Sequence, residues 1–256
     1  MEIGILGPVW TVAGGRLRLI RAKKVRTMLA VLALHPGRVV LFDELTDELW
    51  PESSLGNARN ALQANALRLR KQLEEWVPGG GRLVRTVDHG YILDIAPHDV
   101  DANRFAEQAD RGAGLVDRRP DLAVQELRAA LALWRGPALF DTEMGLRCRA
   151  AAVSLSERRA AAQEDLIAAQ INCGRERLVV PELRRLVAQH PERERLSEQL
   201  MLALYRSGRQ TEALEVFHTA RRWLSNELGV EAGHALHSMY RAILNQDPVL
   251  AQPIAS

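Results

Sequence analysis

Hydrophobic positions change period repeatedly along the chain. From Ile3 to Leu19 they alternate: Ile3 and Ile5, then Val9 and Val12, then Leu17 and Leu19 beyond Gly14-Gly15. Period two places side chains on one face of a strand, and a Gly-Gly pair between such runs predicts a hairpin. Over residues 22–35 the spacing becomes helical, with Val25, Met28, Leu29 and Leu32 on one face and Pro36-Gly37 as the stop. Val39-Val40-Leu41 is a short extended link. Asp43 to Trp50 reads as a second short helix, with Leu45 and Leu49 inward and Pro51 after it. A third helix is predicted over 57–73, where Ala58, Leu62, Ala66, Leu69 and Leu73 form one narrow apolar stripe. Val84 and Val87, then Tyr91, Ile92 and Leu93, flank a turn at Asp88-His89-Gly90. Strands, three helices and a closing hairpin predict a winged helix.

Beyond Ala96-Pro97 the alternation disappears. The rest is helical, with breaks at Pro120, Gly136-Pro137, Gly174, Pro191, Gly208 and Gly229. Leu166, Ala169 and Gly174 recur as Leu200, Ala203 and Gly208 at an offset of 34, and Leu183 recurs as Phe217. That is the period of tetratricopeptide-type helix pairs. A more degenerate unit covers about 104–134. The expected fold is therefore mostly α with a small α+β part: a winged helix-turn-helix domain over 1–96, then an all-α tetratricopeptide-like repeat domain over 97–256. Such arrays expose grooves that usually bind proteins or peptides.

Charge adds one distinction. The whole chain is only +2, but residues 1–96 carry 13 basic and 10 acidic residues, against 21 and 22 afterwards. Only Lys23, Lys24 and Lys71 are lysine; the arginine bias is what a GC-rich genome produces. The third helix departs from a solvated one, because Asn57 to Leu73 contains no acidic residue. Its polar side offers Asn57, Asn60, Gln63, Ala64, Leu67, Arg68 and Lys71, with Arg59 and Arg70 on the flank. An ordinary exposed helix mixes charge signs. Amides and guanidinium groups are what read base edges and hold phosphates. A helix of this kind followed by a hairpin has a known docking geometry in the major groove.

Other chemistry finds no support. Cys148 and Cys173 lack metal-ligand spacing and fit a reducing compartment. The seven histidines are scattered, with neither metal spacing nor an obvious Ser or Asp companion. No catalytic residue, metal site or cofactor is expected. No apolar run reaches membrane-spanning length and no signal-peptide plan opens the chain, so a cytoplasmic, nucleoid-associated protein is expected. Two readings remain open: a DNA-binding activator, and a helical-repeat adaptor whose winged helix binds protein. The second would call for more exposed apolar residues, and fewer arginines, on the third helix.

Several stretches together resemble the Streptomyces antibiotic regulatory protein family. They are Leu6-Gly-Pro8, Asp43-Glu-Leu-Thr-Asp-Glu-Leu-Trp50, Asn57-Ala-Arg-Asn-Ala-Leu-Gln63, Leu67-Arg-Leu-Arg-Lys71, Gly90-Tyr91 and Leu133-Trp-Arg-Gly-Pro137. Later come His190-Pro191, Leu204-Tyr-Arg-Ser-Gly-Arg-Gln210 and Glu227-Leu-Gly229. The resemblance implies an OmpR-type winged helix followed by a bacterial transcriptional activation domain. It further implies binding to tandem direct repeats near promoters of an antibiotic biosynthetic gene cluster, as a head-to-tail dimer on DNA, and contact with RNA polymerase including its sigma factor. The small form is expected, with neither an ATPase module nor a receiver domain. Carried over by residue, Arg68, Arg70 and Lys71 contact DNA, with Arg68 nearest the bases. Asn60 and Gln63 lie near base edges and Asn65 at a phosphate. Ala64 and Leu67 are placed to meet thymine methyls. Asp88 stands where the wing often carries a basic residue, so Arg85 or Thr86 is expected at phosphate, with His89 beside them.

Overall fold

The computed structural model describes residues 1–51 and 57–251. They form two compact units, one of residues 1–109 and 129–160, the other of residues 110–128 and 161–251. The predominance of helix and the small β part are as the sequence predicts.

The first unit opens with a three-stranded antiparallel sheet in the order β1 (Glu2–Gly4), β2 (Trp10–Ala13), β3 (Arg16–Arg18). Ala13 pairs with Arg16 across a two-residue turn at Gly14-Gly15. Then follow α1 (Lys23–Leu34), β4 (Val39–Leu41), α2 (Phe42–Leu49) and α3 (Ala58–Trp76). A hairpin of β5 (Val84–Val87) and β6 (Gly90–Leu93) closes the winged helix, with β6 between β4 and β5. The link expected at Val39–Leu41 is thus a strand of this second sheet. The turn also differs from expectation. Its two residues are Asp88 and His89, since Val87 pairs with Gly90 inside the ladder. Gly90 is needed there because a Cβ would stand 2.2 Å from the Val40 carbonyl oxygen. The core is made by the stripes of the three helices: Met28, Leu29, Leu32, Leu45, Leu49, Leu62, Ala66, Leu69 and Leu73 are all buried.

Chain from beyond the hairpin completes this unit. The first residue of α4 (Asp101–Ala113) is a buried carboxylate that accepts hydrogen bonds from the backbone N–H groups of Ile5 and Leu6, at 2.8 and 3.2 Å. Arg135 N donates to the Leu6 carbonyl and Leu139 N to that of Ile5, and the Arg135 guanidinium lies 4.2 Å from the centre of the Trp10 ring. Two of the family stretches, Leu6-Gly-Pro8 and Leu133-Trp-Arg-Gly-Pro137, therefore meet. Next along the chain, the Asp141 carboxylate accepts from Val9 N at 2.9 Å and pairs with Arg26, whose Nε and Nη2 also hold the Asp141 carbonyl. Glu143 pairs with Lys23 and Lys24. After α5 (Pro120–Ala132), buried Glu48 on α2 caps α6 (Leu146–Asn172), taking the N–H groups of Arg147 and Cys148. Burial and that carboxylate push the Cys148 thiol up to about 12, so it packs as an inert apolar group.

The second unit takes in α7 (Glu176–Gln189), α8 (Glu194–Arg206), α9 (Gln210–Trp223) and α10 (His234–Leu244). Helix α7 packs on α8, α8 on α9, and α10 on both α8 and α9. The 34-residue repeat appears in the hydrogen bonds themselves. Gly174 N donates to Ile171 O and Arg175 N to Gln170 O; 34 residues later, Gly208 N donates to Tyr205 O and Arg209 N to Leu204 O. Both glycines take left-handed backbone, φ +72° and +78°, the conformation that ends a helix and reverses the chain. The equivalent residues Ala169 and Ala203, Leu183 and Phe217 are buried in this unit. Leu166 is only partly buried where its repeat partner Leu200 is buried.

Replacing Glu48 with Ala strips the cap from α6 and leaves the N–H groups of Arg147 and Cys148 unpaired, the second of them buried. Such a loss is expected to cost about 2 kcal/mol, read as a lower midpoint in chemical denaturation.

Candidate nucleic-acid interface

Helix α3 is held by its apolar stripe, and that fixes which side faces out. With Leu62, Ala66, Leu69 and Leu73 buried, Arg59, Asn60, Gln63, Ala64, Leu67, Arg68 and Lys71 are all exposed along the opposite side. Leu67 is 67% exposed on this side. Acidic residues begin only at Glu74 and Glu75. Glu74 is already engaged, accepting from the N–H groups of Gly79 and Gly81, and these bonds hold its carboxyl below the usual range. Within the described residues of this face, positive charge is therefore left without acidic neighbours on the helix.

Two residues taken from the sequence as contacts sit elsewhere. Asn65 is buried, and its amide donates to the Ala61 carbonyl one turn back at 2.9 Å. It lies beside the stripe, within the wide face that a packed helix must bury, and has no route to an exterior phosphate. Arg70 turns toward the hairpin. Its Nε donates to the Val84 carbonyl at 2.8 Å, its Nη2 to the Thr86 hydroxyl at 2.6 Å, and its guanidinium lies 5.6 Å from the centre of the Tyr91 ring. Arg70 is thus a tie between α3 and β5. On the hairpin, Arg85, Thr86 and His89 are exposed. Arg85 stands 3.5 Å from Asp94, a pair in which both side chains are more than half exposed and which exchanges readily with other partners.

Between α3 and the hairpin lies a cavity of about 530 Å³, lined by Phe42, Arg59, Gln63, Arg70, Thr86, Val87, Asp88 and Tyr91. Phe42 and Tyr91 meet edge to face at 5.3 Å, and Arg59 stacks on Phe42 at 5.1 Å. Burial pushes the Tyr91 hydroxyl up, against the pull of Arg70 and Arg59, so the ring stays neutral near those two cations. The aromatic floor was not legible beforehand. Phe42 sits at a strand–helix junction, where period gives no direction for a side chain.

Comparison with known proteins agrees with this architecture. Residues 18–93 match the family described as transcriptional regulatory protein, C terminal, and residues 100–244 match the bacterial transcriptional activator domain. The chain is 48% identical to the transcriptional regulator RedD of Streptomyces coelicolor, over 100% of this chain and 73% of that protein. It is 37% identical to the regulatory protein DnrI of Streptomyces peucetius, over 97% of this chain and 93% of that one. The chain belongs to the Streptomyces antibiotic regulatory protein family. In this family it is a transcriptional regulator with an OmpR-type winged helix and an activator domain. The structure of Mycobacterium tuberculosis EmbR in complex with a low-affinity phosphopeptide superposes with a TM-score of 0.91 at 32% identity, covering 96% of this chain and 65% of that one. Among the described residues no helix is long and apolar enough to cross a membrane, and no group of His, Cys, Asp or Glu is arranged to hold a metal ion.

The geometry separates Arg70 from its neighbour in a way folding can report. Arg70→Ala removes two hydrogen bonds and is expected to cost about 1–2 kcal/mol of stability, while Lys71→Ala stays within about 0.5 kcal/mol. Thermal or chemical melts of the two variants check this.

Proposed function

We propose that the chain is a sequence-specific DNA-binding activator of a secondary-metabolite gene cluster, with α3 in the major groove and the β5–β6 hairpin at the adjacent backbone. The observation that carries this is the acid-free exposed side of α3. Arg68 is the side chain for a bidentate base contact, with Asn60 and Gln63 beside it and Ala64 and Leu67 as apolar contacts for thymine methyls. Arg59 and Lys71, with Arg85, Thr86 and His89 on the hairpin, serve phosphates. Arg70 positions the helix, and Asn65 serves packing. Leu67 is the lone large apolar side chain exposed on the described part of this helix, which favours DNA over a protein partner.

The proposed operator is a pair of direct repeats bound by two copies head to tail. A direct repeat calls for a heterologous contact, since two-fold symmetry would produce a palindrome. The activator domain would then present its surface to RNA polymerase and its sigma factor. Action on DNA in this way places the protein in the cytoplasm with the nucleoid.

Mobility-shift titrations of the full chain on the promoters beside its own gene, with random competitor, test the reading. Arg68→Ala is expected to lose about 1–3 kcal/mol of binding on the cognate site and little on random DNA. An equal loss on both would reassign Arg68 to phosphate. Absence of any shift by folded protein at low salt would refute the DNA reading. If two copies share one face of the duplex, inserting about half a helical turn, 5 base pairs, between repeats abolishes cooperative binding, and about 10 base pairs restores part of it.

A further inference from the structure

From Ile3 to Phe42 the chain holds no carboxylate. Some cations of that stretch are committed: Lys23 and Lys24 pair with Glu143, and Arg26 pairs with Asp141. Arg16 and Arg21 are exposed and enter no ion pair among the described residues. They flank Leu17 and Leu19, both exposed, on and just after β3, an outer strand of the first sheet. A second surface of the same unit is its opposite in charge. Val39 and Leu41, again exposed, lie on β4, an outer strand of the second sheet. Asp43 and Asp47 follow on α2, four residues apart and so on one face. Both are exposed and without an ion pair among the described residues, whereas Glu44 is taken by Arg147. Arg38 is the single cation in the sequence from 38 to 47. The two aspartates repel each other, and Asp47 stands in the last turn of α2, where the helix dipole disfavours an acid and no basic residue offsets it.

We infer that these two surfaces are partners, and that the occupant of each is a second copy of this chain. Leu17 and Leu19 of one copy dock on Val39 and Leu41 of the next copy along the DNA, with Arg16 and Arg21 facing Asp43 and Asp47. The contact rests on the direct-repeat reading above. A head-to-tail contact needs two different surfaces of one chain that fit each other. These two match twice, aliphatic with aliphatic and basic with acidic. Their separation suits the task. Leu19 precedes α1 and Val39 follows it, and the 12 residues of that helix span about 18 Å. Size suits it as well. A compact unit of about 140 residues is about 37 Å across, close to the helical turn of about 34 Å between neighbouring sites, so copies on adjacent repeats touch. The acidic surface is closed to DNA itself, because phosphates repel it. Exposed ion pairs add modest strength; here they fix the direction in which copies line up.

Mobility shifts of the full chain on promoter fragments bearing one repeat or both measure cooperativity as the ratio of the two affinities. Arg16→Glu with Arg21→Glu, and separately Asp43→Arg with Asp47→Arg, turn attraction into repulsion at two exposed pairs. Each double variant is expected to fold, to shift the single-repeat fragment, and to lose about ten-fold in cooperativity. Mixed together, the two double variants should regain it, because opposite charges then face each other in either order along the repeats. Leu17→Ser should weaken cooperativity while every charge stays in place. Unchanged cooperativity in both double variants, or no recovery on mixing them, overturns the contact. So does full cooperativity with lost transcription in the Asp43→Arg, Asp47→Arg variant, which would assign the acidic surface to polymerase. Absence of any shift by wild type on either fragment refutes the DNA reading and this contact with it. A specific wild-type shift on one repeat keeps the DNA reading, whatever the variants do to cooperativity.

Discussion

Arg70 points back into the protein from the middle of an otherwise outward-facing basic helix. Its two hydrogen bonds, to the Val84 carbonyl and the Thr86 hydroxyl, fasten α3 to β5, and its guanidinium lies over the Tyr91 ring. Helix and hairpin are the two elements a winged helix brings to a duplex, and their spacing decides whether both reach it. A tie made of one planar, always charged group with fixed donor directions sets that spacing better than apolar contact, which resists sliding poorly. Everything proposed for the face of α3 depends on it. The exposed residues can be arranged for DNA because Arg70 and the apolar stripe already hold the helix.

A second constraint acts behind the helix. The winged helix binds later parts of the chain through carboxylates. Asp101 takes the Ile5 and Leu6 N–H groups, Asp141 takes Val9 N, and Glu48 takes the first N–H groups of α6. Burial raises the Asp101 carboxyl against the pull of those N–H groups and of Arg135. These bonds join residues 95 to 132 positions apart, so the first unit closes only when chain beyond residue 96 is in place. The contact-defined unit accordingly includes residues 129–160. The family profiles divide the same chain between residues 93 and 100.

Much of this was legible in the sequence. Every helix of the winged helix, both hairpins and the 34-residue repeat follow from period and turn residues, and α3 declared itself by lacking acids. The misses share a cause. Asn65 and Arg70 are polar residues assigned by type and family position, while their side chains were claimed by neighbours: a carbonyl one turn back, and a hairpin 14 to 16 residues on. Gly90 reads as a turn glycine, yet what it satisfies is close approach of β4. The meeting of Leu6-Gly-Pro8 with the stretch around Arg135 is a long-range contact, and local periodicity carries no trace of it.

Whether α3 reads bases from the major groove is decided by dimethyl sulfate protection, because the reagent methylates guanine N7 on that groove's floor. On a promoter fragment bound by the wild-type chain, guanines within each repeat are expected to be protected, with protection lost at one position per repeat in the Arg68→Ala variant. Bound complexes in which guanine N7 stays fully reactive throughout both repeats would contradict it.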